Sequence, residues 1–160
     1  MADMRAVFMD GVERIDVRNA PVPVPGEGEA LLKVHACSVC GSDIKIYRYG
    51  NKRLDYPVIV GHEIAGEVVE VGPGVEAVAV GDRVAVGADI PGVWNTNVPG
   101  KDSYIDYATG HEFDGGFAEY MLLNRRMLEF GPVTHLPDGL GYDEGALAEP
   151  LACAVKGLEF

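Results

Sequence analysis

Basic side chains are scarce in this chain: 13 Lys and Arg stand against 25 Asp and Glu, a formal net charge of −12. Nucleic acids and anionic membranes demand clustered cations that displace counterions, and no basic stripe exists here, so neither is an expected partner. Long apolar runs are also missing. Stretches such as Val58-Ile59-Val60 fall far short of the roughly 20 residues that span a bilayer. The first residues lack the charged-then-apolar pattern of a secretory leader, and the expected location is cytoplasmic. Cysteine is rare, with Cys37, Cys40 and Cys153 the whole supply. An odd number of thiols in a 160-residue chain, large enough to bury a core without staples, favours free thiols or metal ligation over a disulfide framework.

What is plentiful is valine in period-two alternation, punctuated by Gly and Pro. Residues 5–9, 13–18, 29–35, 64–71 and 82–86 read as short strands. Pro21, Pro23 and Pro25, followed by Gly26 and Gly28, mark an extended connector. Many short strands separated by turns predict a barrel or sandwich, mainly β with a few short helices. From Tyr142 onward the pattern turns helical. Leu151, Ala154, Val155 and Leu158 recur at spacings of three and four, which predicts one face turned inward, and Pro150 suits a first helical position. Residues 88–117 are the least regular stretch and read as a long excursion, either functional or a plain surface lobe.

The chemistry concentrates in two glycine-bordered turns. Cys40-Gly41-Ser42-Asp43 and Gly61-His62-Glu63 offer a thiolate, an imidazole and a carboxylate, the donors a catalytic zinc takes while keeping one position open. A further ligand has to come from elsewhere, and the comparable candidates are Glu149 and Cys153. Asp43 is placed to accept the distal imidazole N–H and fix the ring's tautomer. Ser42 puts a hydroxyl beside the open position. Alternatives exist for each: His62 as a satisfied core histidine, Glu63 as a turn residue, Glu149 as a carboxylate that favours a helix start, Cys37 as a small buried apolar side chain. His35, His111 and His135 have no ligand-like neighbours at helical or hairpin spacing.

Two other motifs fail on context. Cys37 and Cys40 are spaced like a redox pair or half a zinc ribbon, but no second ligand pair follows, and a redox pair expects a helix opening at the first Cys. Gly72-Pro73-Gly74 formally begins a dinucleotide fingerprint, yet that fingerprint must open a helix. Here Val75, Val78 and Val80 predict a hairpin turn that leads into another strand.

With these residues in place, the chain resembles the GroES-like catalytic domain of the zinc-dependent medium-chain alcohol dehydrogenases, especially the polyol and threonine dehydrogenase branch. The likeness is carried by residues 39–43 (VCGSD), 57–72 (PVIVGHEIAGEVVEVG), 80–85 (VGDRVA), 115–120 (GGFAEY) and 148–151 (AEPL). It implies a partly open β-barrel over residues 1–148, with 88–117 as an excursion lobe and 149–160 starting a connecting helix. It implies that Cys40 and His62 bind a catalytic zinc, with Glu149 or Glu63 as a third or exchanging ligand and water completing the set. Ser42 would start a proton relay, and the reaction would be hydride transfer from a secondary alcohol, polyol or amino alcohol to NAD or NADP.

Departures from that family shape the expectation. Lys45 stands where many relatives place the histidine that hands the relay's proton to solvent. Residues 88–117 hold no cysteine, whereas many relatives carry four in this lobe, so a structural zinc is not expected. The nucleotide-binding Rossmann domain that the family places after the connecting helix is not among these residues, which reads the chain as a fragment, inactive by itself because the hydride acceptor is unplaced. Expected partners are a small-molecule alcohol or polyol and, in a homo-oligomer, further copies of the chain. The competing reading is a non-enzymatic GroES-like interaction module. A zinc-free quinone-reducing relative is disfavoured, because that branch does not need Cys40 and His62.

Overall fold

The computed structural model describes residues 2–90 and 107–158. The strands are β1 (Asp3–Gly11), β2 (Arg14–Pro21), β3 (Ala30–Ser38), β4 (Val58–Ile59), β5 (Glu63–Val71), β6 (Arg83–Val86), β7 (Asp89–Ile90), β8 (Tyr107–Ala108), β9 (Tyr120–Leu123) and β10 (Val133–His135), of which β1, β2, β3, β5 and β6 are the alternating stretches read from the sequence. Between and after them come α1 (Gly41–Tyr49), α2 (Arg125–Phe130), α3 (Tyr142–Ala146) and α4 (Ala148–Gly157). Among the described residues no helix is long and apolar enough to cross a membrane.

One sheet runs β2-β1-β4, the main sheet β10-β6-β5-β3-β9, and β7-β8 form a small ribbon. Residues 115–119 stitch the first two together. Val7 donates to the Phe117 carbonyl at 2.8 Å, Glu119 donates to Arg5 at 3.1 Å, and Val34 on β3 donates to Glu119 at 3.0 Å. The result is mainly β with few helices, as the sequence predicts. The main core lies on the five-stranded sheet, where Leu32, Ile64, Val68, Val84, Val86 and Leu123 are almost wholly buried. A second cluster seats α1: Ile46 packs with Met9, Leu54, Val58 and Val60.

Gly115 and Gly116 at the start of this stretch pass so close to the turn before β5 that a side chain there is excluded. Gly115 donates to Ile59 at 2.7 Å and Gly116 to Gly61 at 2.9 Å, and a Cβ at Gly115 would overlap the Gly61 carbonyl oxygen. Gly61 itself has φ +97°, a left-handed conformation that glycine adopts without steric cost. A Cβ there would also fall 2.8 Å from the Phe117 ring and 2.9 Å from Cys37 Sγ.

Several expectations change. A helix, α1, opens directly after Cys40, where only a turn was foreseen. Residues 75–80 form a loop rather than a strand, although, as the failed fingerprint required, no helix starts there. Pro150 is the third residue of α4, still within the first turn, where its missing N–H costs nothing. The apolar side of α4 is not turned inward: Leu151, Val155 and Leu158 are 64%, 51% and 87% exposed, because no described element packs over them. The excursion carries paired structure, since β7 and β8 lie within it; residues 91–106, most of its length, fall outside the described residues.

Gly115→Ala should lower unfolding free energy in urea by about 1–3 kcal/mol, the usual range for overpacking against rigid neighbours. Gly157→Ala, where an added Cβ meets nothing, should leave it unchanged or raise it by up to about 1 kcal/mol.

Candidate metal centre

The antiparallel ladder between β3 and β5 builds this region. Cys37 pairs with Ile64 and Ser38 with Glu63, so the chain leaving β3 at Ser38 and the chain entering β5 at Glu63 run side by side. Cys40, two residues beyond Ser38, therefore meets His62 and Glu63. Ligand atoms of Cys40, His62 and Glu63 all lie within 4.8 Å of one another.

Cys40 is the N-cap residue of α1, and Asp43 ties that end down: its Oδ2 accepts the Cys40 backbone N–H at 2.9 Å, the reciprocal arm of a capping box. The other oxygen of Asp43 faces His62, with Oδ1 3.4 Å from Nδ1 and both side chains more than nine-tenths buried. At that separation the pair is an ion-pair contact more than a well-formed hydrogen bond, and Nδ1 is the one buried side-chain polar atom among the described residues without a hydrogen-bond partner of full geometry. On the opposite side of the ring Ser42 Oγ lies 3.2 Å from Nε2. The Asp43 carboxylate is the main cause that raises the His62 pKa to about 9; burial works against it, and Cys40 adds to the rise.

The donor set fits a divalent metal. Glu63 is only 4% exposed and His62 6%, and acidic side chains are almost never buried without a countercharge or an ion. A thiolate, an imidazole and a carboxylate converging at this spacing are the mixed donors zinc takes. Asp43 stands behind the imidazole as the outer carboxylate of such a centre.

The other sequence candidates lie at varying distances from this cluster. Glu149, in the first turn of α4, is not among the converging donors; its Oε1 accepts a hydrogen bond from Cys153 Sγ at 3.3 Å. That bond raises the Cys153 pKa, and burial adds to it. Both residues line a cleft of about 650 Å³ together with Gly87, Asp89 and Pro132. Lys45 is exposed on α1, one turn beyond Ser42. Cys37 is unpaired, and burial, helped by the Asp43 charge, pushes its thiol up to about 12, as befits an inert packing residue. His35 stacks on Tyr142 with ring centroids 4.2 Å apart, and His135 pairs with Asp82 at 2.9 Å, so neither is a ligand candidate. Phe117 was not singled out from the sequence. Its ring packs beside Gly61 and supports the turn that presents His62, and its place in a Gly-Gly-Phe stretch was the only signal.

Metal uptake must remove the proton from His62, whose pKa is about 9 without metal. Apparent zinc affinity should therefore rise with pH and level off only above that value, falling at least about tenfold per unit below it, since ligand deprotonation is linked to binding. Asp43→Asn, which removes the cause of the raised pKa, should shift the His62 contribution toward lower pH. Chelator competition between pH 6 and 9.5, on the order of the range these ligand protons cover, checks both.

Comparison with known proteins places the chain in a family. Residues 26–138 match the family described as the alcohol dehydrogenase GroES-like domain. The chain is 34% identical to sorbitol dehydrogenase of Bacillus subtilis (strain 168), over 96% of this chain and 44% of that relative. It is 38% identical to L-threonine 3-dehydrogenase of Pyrococcus horikoshii, over 91% and 41% respectively. Among solved structures, a Sinorhizobium meliloti 1021 protein described as a zinc-binding dehydrogenase and bound to NADP superposes with a TM-score of 0.83 at 34% identity, over 99% of this chain and 46% of that one. The chain thus spans less than half the length of these relatives. With most of its residues matched by that family and by these relatives, the chain belongs to the GroES-like domain family of the zinc-dependent medium-chain alcohol dehydrogenases.

Proposed function

We propose that this chain is the zinc-binding catalytic portion of a dehydrogenase that moves a hydride from a secondary alcohol, polyol or amino alcohol to NAD or NADP. The convergence of Cys40, His62 and Glu63 carries the reading, and the sorbitol and threonine dehydrogenases among its relatives support the substrate class. Bound zinc supplies Lewis acidity at the alcohol oxygen, and the nicotinamide supplies the hydride acceptor.

The chain's own residues do the rest. Cys40, His62 and Glu63 hold the ion, and Glu149 is the carboxylate within the cleft that can exchange with one of them. Asp43 holds the imidazole ring from behind while fixing the start of α1. Ser42 accepts the alcohol proton on its Oγ while its own hydroxyl proton leaves to solvent water, and Lys45, exposed one turn on along α1, places a positive charge near that exit. With no cysteine in residues 88–117, a single zinc per chain is the proposed stoichiometry.

Metal analysis of the purified chain should find about one zinc per polypeptide, as a single site implies, and Cys40→Ser should abolish it. Asp43→Ala should weaken binding about 10–100-fold, the usual cost of losing an outer-shell partner. In a polypeptide where α4 continues into a dinucleotide-binding domain, polyol-dependent reduction of NAD or NADP is expected, and Ser42→Ala should lower kcat by about 10²-fold or more. A folded chain that takes up no zinc would instead favour the non-enzymatic interaction module.

A further inference from the structure

α4 places Glu149 and Cys153 four residues apart, so one turn stacks the thiol over the carboxylate on a single face. That face lines a cleft together with Gly87 and Asp89. The Glu149 side chain rests over Gly87, where an added Cβ would lie 3.9 Å from Glu149 Cγ. Gly87 directly follows β6, the strand hydrogen-bonded to β5 through the pair Ile64 and Val86. Glu149 is therefore one strand away from Glu63, yet it is absent from the converging donors, and its Oε1 is occupied by the Cys153 S–H at 3.3 Å.

We infer that Cys153 is a positioning residue for Glu149: its thiol hydrogen bond holds the carboxylate in the cleft, and Glu149 joins the metal only when that bond gives way. The inference rests on the metal-centre reading above. Glu63 already supplies a buried carboxylate from β5, so Glu149 acts as the exchanging one, and a side chain that must exchange needs a resting place. A neutral S–H donor is suited to this role because its bond is weak enough to break and directional enough to select one rotamer. Glu149 and Cys153 share one rigid helical turn, so the resting geometry is set by the helix and not by a loop.

The test is zinc affinity by chelator competition, together with the visible spectrum of the cobalt-loaded protein, on the full chain and its Cys153→Ala, Cys153→Ser and Glu149→Gln variants. Circular dichroism confirms folding, which the exposed position of Cys153 favours. Cys153→Ala should bind zinc about three- to tenfold more tightly, the value of one ordinary intramolecular hydrogen bond, since the thiol is a weak donor. Cys153→Ser, which keeps a donor, should match the parent chain, and Cys153→Ala should have no effect in the Glu149→Gln background. The thiolate-to-cobalt absorption should be equal in the parent and Cys153→Ala proteins. Unchanged zinc affinity in Cys153→Ala, or an effect that survives Glu149→Gln, overturns the inference. So does loss of thiolate absorption in Cys153→Ala, which would make Cys153 itself a ligand. A parent chain that binds no metal refutes the metal-centre reading, and this inference with it.

Discussion

The pairing of Ser38 with Glu63 is the constraint from which the candidate centre follows. In an antiparallel ladder a slip of one residue turns every side chain to the other face, and here it would carry Glu63 away from Cys40. The β3–β5 register has irregularities between Leu31 and Leu32 and between Val34 and Ala36, so the meeting of the two turns is set by how those irregularities are placed. Around this ladder the rest is support. Residues 115–119 hold the chain before His62 through backbone bonds that glycines alone permit, and Ile46 anchors α1 in the core behind Cys40.

Asp43 links the local and the tertiary problem in one side chain. One oxygen satisfies a helix-terminal N–H, and the other faces the His62 ring. The helix that presents the thiol and the imidazole that joins it are thereby oriented by the same carboxylate. This arrangement gives a buried ring nitrogen no hydrogen-bond partner of full geometry and an imidazole that favours its protonated form. A cation in the cluster would replace that proton and the charge it brings, which gives the unusual burial of Glu63 a physical reason.

Donor chemistry singled out the candidate centre in the sequence, because a thiol, an imidazole and a carboxylate in glycine-bordered turns have few other common uses, and the fold brings those three donors together. The strands β1, β2, β3, β5 and β6 were legible too, since valine alternation is a local signal. The helix α1 was not: Ile44 and Ile46 flanking Lys45 mimic a strand, and Gly41 opens it poorly, so its stability comes from the Asp43 cap and the burial of Ile46. Only the three-residue spacing from Cys40 to Asp43 hinted at it. The β7–β8 pairing joins Asp89 to Ala108, a contact that no local pattern encodes. For α4 the periodicity correctly gave an apolar face but carried no information about what covers it.

The central claim is that one ion is held by a single sulfur, that of Cys40, together with His62 and carboxylate oxygen. X-ray absorption at the zinc edge of the metal-loaded chain tests it most directly. The account predicts one sulfur neighbour with the remaining ligands nitrogen or oxygen. A first shell with no sulfur, or with more than one, would contradict it.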